Sequence, residues 1–242
     1  MPSPSRLILF DIDGTLLTAG GAPRRAFRSA LIEHFGTNGD EASTDFSGKT
    51  DPQIVYEIMR RAGFEDDRIE ARIADLFEDY LEGLRRELPQ DASHRLHPGA
   101  AEIVEILAAD PRVLLGLVTG NVEQGARLKL ERFGLWRRFR VGAFGSDDRD
   151  RDRLPQIAID RARRLTAYPF TGADAVVIGD SPADIRCAHA VGAISVAVAS
   201  GLPGRAELAD AGPDVLLDSL EEWPELLAAI GLSPDPVLAG QS

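Results

Sequence analysis

Asp11-Ile12-Asp13-Gly14-Thr15 follows the apolar run Leu7-Ile8-Leu9-Phe10 without a break, and this junction carries the first chemical signal in the chain. Side chains alternate along a strand, so carboxylates at i and i+2 leave on one side. Two carboxylates crowded at a strand end are costly unless a cation or a shared proton relieves them. Gly14 permits a tight turn, and Thr15 adds a hydroxyl. Such a set suits a nucleophilic Asp, an acid/base Asp and a hard divalent cation.

Two later apolar runs also end in polar chemistry. Val113 to Val118 leads into Thr119-Gly120-Asn121, and Ala175 to Ile178 leads into Gly179-Asp180-Ser181-Pro182-Ala183-Asp184. Thr119 and the amides of Gly120 and Asn121 can hold phosphate oxygens where a strand hands over to a helix N-terminus. Asp180 and Asp184 sit where a cation is needed, and Mg²⁺ takes oxygen ligands from one or two carboxylates plus substrate phosphate. Ser181 before Pro182 is also a good helix start. Three buried-type strands with chemistry at their carboxyl ends match the rule that ligands of open parallel sheets bind outside those ends.

The elements that must position these groups follow from periodicity. After Pro98-Gly99, helices at 100–109, 123–133, 154–165, 183–191, 205–211 and 220–230 alternate with strands at 113–118, 140–143, 175–178, 194–198 and 215–217. Alternation of this kind predicts a parallel sheet covered by helices on both faces, with right-handed crossovers. The stretch from Pro23 to Leu88 reads as helix instead. Its apolar faces are Ala26, Phe27, Ala30, Leu31 and Phe35, then Ile54, Val55, Ile58 and Met59, then a longer run from Ile69 to Leu88. Breaker-rich connections at 17–22 and 89–98 set this insert apart. The expected organisation is an α/β core at 1–17 and 96–232, an all-helical insert at 18–95 and a flexible tail at 233–242.

In motif order and placement the chain resembles the haloacid dehalogenase-like (HAD) hydrolases, above all the phosphoglycolate phosphatase-like and beta-phosphoglucomutase-like members. The resemblance spans nearly the whole chain. It implies a Rossmann-like core of strand order 5-4-1-2-3, with the first strand central, and a helical cap. It further implies that Asp11 is the nucleophile and Asp13 the acid/base. Mg²⁺ would be bound by Asp11, Asp180 and the main-chain carbonyl of Asp13, with Asp184 behind them. The basic residue of the pattern is a Lys in most relatives, and no Lys follows Lys129 here. Counting back from Leu154-Pro155 selects Arg151, with Arg149 as the alternative, in the run Ser146-Asp147-Asp148-Arg149-Asp150-Arg151-Asp152-Arg153. Lys49, in the loop Gly48-Lys49-Thr50-Asp51, is the candidate substrate contact from the insert.

Composition bounds the function. The 242 residues are 44% hydrophobic and 27% charged, ordinary for a globular protein. A formal charge of -12 argues against nucleic acid or an anionic membrane as partner. Nothing approaches the roughly 20 apolar residues of a membrane span, and no targeting segment is evident. A single cysteine, Cys187, excludes an intrachain disulfide and fits a reducing cytoplasm. His34, His94, His97 and His189 show no metal-ligand spacing. The expected activity is Mg²⁺-dependent phosphatase action on a small phosphorylated metabolite, phosphoglycolate- or sugar-phosphate-like, through an aspartyl phosphate, by a monomer or homodimer. The alternatives are a phosphoglucomutase-like or dehalogenase enzyme of the same family, or a phospho-accepting signalling or binding protein.

Overall fold

Residues 4–202 and 204–232 are described in a computed structural model; the tail expected to be flexible lies outside them. The strands are β1 (Arg6–Phe10), β2 (Leu17–Thr18), β3 (Arg95–Leu96), β4 (Val113–Thr119), β5 (Val141–Phe144), β6 (Ala175–Gly179), β7 (Ile194–Val198) and β8 (Val215–Leu217). The helices are α1 (Ala22–Phe35), α2 (Asp51–Arg61), α3 (Asp66–Glu87), α4 (Ala100–Ala109), α5 (Glu123–Glu131), α6 (Leu154–Thr166), α7 (Pro182–Ala190), α8 (Arg205–Asp210) and α9 (Trp223–Ala229).

Six strands form a parallel sheet of order β5-β4-β1-β6-β7-β8, so β1 is central and flanked by the two other motif-bearing strands. This is the order the resemblance implies, with β8 added at one edge. Alternation along β1 feeds two cores. Ile8 and Phe10 join a cluster with Val104 of α4, Leu130 of α5 and Leu227 of α9. Leu7 and Leu9 face the opposite layer, with Ala158 of α6 and Cys187 of α7. Both faces are covered, which is why these strands read as continuous apolar runs.

The helices between β2 and β3 pack on one another, and their apolar residues continue the cluster on the α4/α5 face of the sheet. Ala26 of α1 lies so close to Gly83 of α3 that a Cβ at Gly83 would sit 2.8 Å from the Ala26 methyl. The two breaker-rich connections form a short antiparallel ribbon, Leu17 opposite Leu96 and Thr18 opposite Arg95. Asp91 ties them further: its Oδ2 accepts from the amides of Gly21 and Ala22, both at 3.0 Å, supplying the N-terminal cap of α1 from a distant segment. Among the described residues no helix is long and apolar enough to cross a membrane.

Candidate active site

The carboxyl ends of β1, β4 and β6 open onto one cavity of about 290 Å³, lined by Asp11, Asp13, Thr119, Asn121, Arg151 and Asp180 among others. Asp11 leaves the end of β1 buried, and Asp180 leaves the end of β6. Ligand oxygens of Asp11, Asp180 and Asp184 lie within 4.8 Å of one another. Asp180 is held by Thr15, whose hydroxyl donates to its Oδ1 at 3.1 Å. Its other oxygen sits in a cradle of two glycines: a Cβ at Gly14 would fall 2.1 Å from Oδ2, and one at Gly201 1.7 Å.

Burial pushes the Asp11 carboxyl up to about 6, against the pull of Arg151 and with the push of Asp184 and Asp13. Burial, then the neighbouring Asp11 and Asp184, drives Asp180 well above the ordinary carboxylate range. Three buried hard-oxygen donors that cannot comfortably share one space without a countercharge fit a divalent cation such as Mg²⁺. Asp184 has both oxygens engaged. Its Oδ2 accepts from the Ser181 amide at 3.1 Å and hydroxyl at 2.6 Å, in the capping box that opens α7, and its Oδ1 accepts from Arg151. The helix cap therefore accounts for part of Asp184, more than the sequence suggests.

The two candidate arginines part company. Arg151 is buried, with Nη2 3.3 Å from Asp11 Oδ1 and on Asp184, while its Nε has no partner among the described residues. Arg149 instead lies over the Tyr56 ring, 4.4 Å from the centroid. Thr119 and Asn121 are buried at the end of β4, and the Asn121 amide donates to Thr119 Oγ1 and to Asp13 Oδ2, both at 2.8 Å.

Lys129 is the residue the sequence reading passes over. It sits on the buried face of α5, and its ammonium donates to Asp13 Oδ2 at 2.6 Å and to Asn121 Oδ1 at 2.5 Å. Asp51 is the second. Its carboxyl accepts from the Val122 amide at 2.8 Å and is pushed up to about 6 by burial, with Lys129 opposing. A Lys between Ala126 and Leu130 on an otherwise apolar face is the signal that could have pointed to Lys129.

The loop entering α2 is docked on the strand ends. The Asp51 amide donates to the Gly120 carbonyl at 2.7 Å and Thr50 Oγ1 to the Arg149 carbonyl at 2.8 Å. A Cβ at Gly120 would stand 2.0 Å from the Lys49 carbonyl. Lys49 lines the cavity too, but its Nζ is taken by Glu57 at 2.6 Å.

Residues 8–189 match the family model described as haloacid dehalogenase-like hydrolase. The chain belongs to that family. Within the HAD hydrolases it is similar to phosphoglycolate phosphatase 1 of Pseudomonas aeruginosa, 26% identical, the match covering 90% of this chain and 78% of that protein. It is also similar to the tyrosine-protein kinase PtkA of Mycobacterium tuberculosis, 27% identical over 94% of this chain and 73% of that one. Its fold is that of the crystal structure of a predicted phosphoglycolate phosphatase from Haemophilus somnus, with a TM-score of 0.68 at 22% identity, covering 93% of this chain and 99% of that one.

Proposed function

We propose that this HAD hydrolase is a Mg²⁺-dependent phosphatase that cleaves a small phosphorylated metabolite, phosphoglycolate- or sugar-phosphate-like, through an aspartyl phosphate. The observation that carries the reading is the pairing of a buried Asp11 beside Arg151 with an Asp13 that leans on Lys129 and Asn121 above the same cavity. The relatives named phosphoglycolate phosphatase support the same reading.

Asp11 would attack phosphorus, and the bond from phosphorus to the leaving oxygen would break as Asp13 hands that oxygen a proton. Water would then attack the aspartyl phosphate while Asp13 takes its proton, and the bond to Asp11 would break to release inorganic phosphate. Arg151 would orient Asp11 and a phosphate oxygen through charge-assisted bonds, although a planar guanidinium is not equivalent to the lysine of most relatives. Thr119 and the amides of Gly120 and Asn121 would hold the remaining oxygens. Lys129 would fix Asp13 toward the leaving group, and Lys49 would stand at the cavity wall. Asp11, Asp180 and the Asp13 carbonyl would hold the Mg²⁺, with Asp184 behind them; when bound it would neutralise the crowded carboxylates and the substrate's phosphate.

Residues 18–95 form the cap in this reading, on a core of 1–17 and 96–232. Their hinge is the β2–β3 ribbon, and opening there would admit substrate and release phosphate. A cytoplasmic location, supported by a lone, buried Cys187, belongs to the same proposal, as does a monomeric or homodimeric state. The test is release of phosphate from a panel of phosphorylated metabolites with and without Mg²⁺. Activity that survives EDTA undiminished would overturn the metal, and a panel with no turnover would overturn the reaction.

A further inference from the structure

Above the carboxylates the cavity changes character. Phe27 of α1, Phe46 of the loop entering α2, Ile54 of α2 and Tyr80 of α3 form its roof. Phe27 meets Phe46 and Tyr80 edge-on, with centroids 5.6 and 5.5 Å apart. Tyr80 is 2% exposed, lines the cavity and makes no hydrogen bond among the described residues. A buried phenol usually finds a partner, so this hydroxyl is free for one brought by a ligand.

The cations around the cavity are not free. Arg24 faces Glu41 at 3.0 Å, Lys49 faces Glu57 at 2.6 Å, Lys129 faces Asp13 at 2.6 Å, and Arg151 faces Asp11 at 3.3 Å as well as Asp184. Glu41 also takes Arg28 at 2.8 Å, leaving one surplus positive charge in that corner. Arg24 is nevertheless pinned there. Its Nη2 donates to the Thr44 carbonyl at 3.0 Å, and its guanidinium lies over the Phe46 ring, 4.2 Å from the centroid. A leaving group that carried its own carboxylate would enter beside Asp13 and Asp51 under an apolar roof. An unpaired charge in such a place is strongly disfavoured.

We propose that the leaving group is an uncharged alcohol, its apolar face seated on Phe27, Phe46 and Ile54 and a neutral polar group bonded to the Tyr80 hydroxyl. The inference rests on the phosphatase reading and narrows its substrate class, away from phosphoglycolate and toward neutral phosphomonoesters.

The experiment compares kcat/KM of the full chain, with Mg²⁺, for benzyl phosphate, glucose 6-phosphate, phosphoglycolate and p-nitrophenyl phosphate. Benzyl phosphate should exceed phosphoglycolate by at least about tenfold. Phe46→Ala should cut kcat/KM for benzyl phosphate by about tenfold and for phosphoglycolate by less. Tyr80→Phe should cost glucose 6-phosphate about tenfold and benzyl phosphate less, because only the sugar offers a hydroxyl. A preference for phosphoglycolate, or equal losses across the esters in both variants, would overturn the inference and leave the phosphatase reading standing. No turnover of any ester, p-nitrophenyl phosphate included, would overturn that reading and the inference with it.

Discussion

Asp11 lies against Arg151 with 9% of its side chain exposed, whereas the Asp13 side chain keeps 41% and leans on Lys129 and Asn121. The same residue type, two positions apart, thus faces two different media. On the Asp11 side, three carboxylates crowd one buried space, where Arg151 offsets part of their charge and the proposed cation would offset the rest. On the Asp13 side, a lysine and an amide hold a single carboxylate at the edge of the cavity. The two carboxylates therefore answer to different partners, Asp11 to the charge of Arg151 within a buried cluster and Asp13 to Lys129 and Asn121 at the cavity edge.

The largest effect should come from the buried side. Asp11→Asn keeps the shape and removes the proposed nucleophile, so phosphate release should fall below a few per cent of wild type. Retained turnover would make the two carboxylates interchangeable and break the comparison. Arg151→Met should lower kcat by about 10²–10³. It should also cost about 3–5 kcal/mol in stability, since it strands Asp11 and Asp184 without their buried countercharge. Arg149→Ala, which removes a cation stacked on Tyr56, should change kcat little. The reverse ranking would show that the buried guanidinium is structural alone.

On the exposed side, Lys129→Met preserves the buried stem and removes the charge that holds Asp13. Turnover of alkyl phosphates should drop about ten- to a hundredfold, and that of p-nitrophenyl phosphate less, because its leaving group needs no proton. Equal loss on both would place Lys129 in folding rather than in proton transfer.

The strands and the strand-end carboxylates are legible because each is a local signal, an apolar run followed by a polar break, whereas the strand order came only with the family resemblance. Asp11, Asp13, Thr119 and Asp180 are found this way. Lys129 and Asp51 are not, because what distinguishes them is a partner more than 70 positions away, Asp13 for the lysine and the Val122 amide for the aspartate. An alternating acidic and basic run such as 146–153 carries no mark of which arginine turns inward; burial of Arg151 is decided by the packing of α7 against the turn before α6. The β2–β3 ribbon, two residues per strand, is too short for any periodicity.

Protons and metal should compete for the buried side. Asp11 and Asp51 are each pushed up to about 6, chiefly by burial. A carboxyl whose folded pKa lies above its unfolded value binds protons more tightly when folded. Its contribution to stability is therefore full below about 3.8 and is lost as pH rises through about 6. The Tm of the metal-free protein should accordingly rise as pH falls from 7.5 to 5, by about 2–4 °C for each kcal/mol relieved. The carboxyls held low by their partners, Asp66, Asp91 and Asp214, lose their contribution only at lower pH. Mg²⁺ should raise Tm clearly at pH 7.5 and much less at pH 5, where protons already neutralise the cluster. A metal effect of equal size at both values would mean that the cation sits away from these carboxylates.

The smallest effect tests the rim. Glu57 holds Lys49 at 2.6 Å and Arg61 at 2.5 Å, so this cation of the cavity wall is already spent. Glu57→Gln keeps the side-chain volume and frees Lys49 to turn toward the ligand. The pair is partly exposed, and pairs of that kind contribute no more than about 1 kcal/mol, so stability should hardly change. Selectivity should move instead: kcat/KM for phosphoglycolate should rise about threefold relative to benzyl phosphate, about 0.7 kcal/mol, within the range of an exposed ion pair. Kinetics on the two esters, with circular dichroism melts alongside, would check both halves. An unchanged ratio would place Lys49 outside the reach of the leaving group, and a large loss of Tm would mean that Glu57 holds the loop rather than the charge.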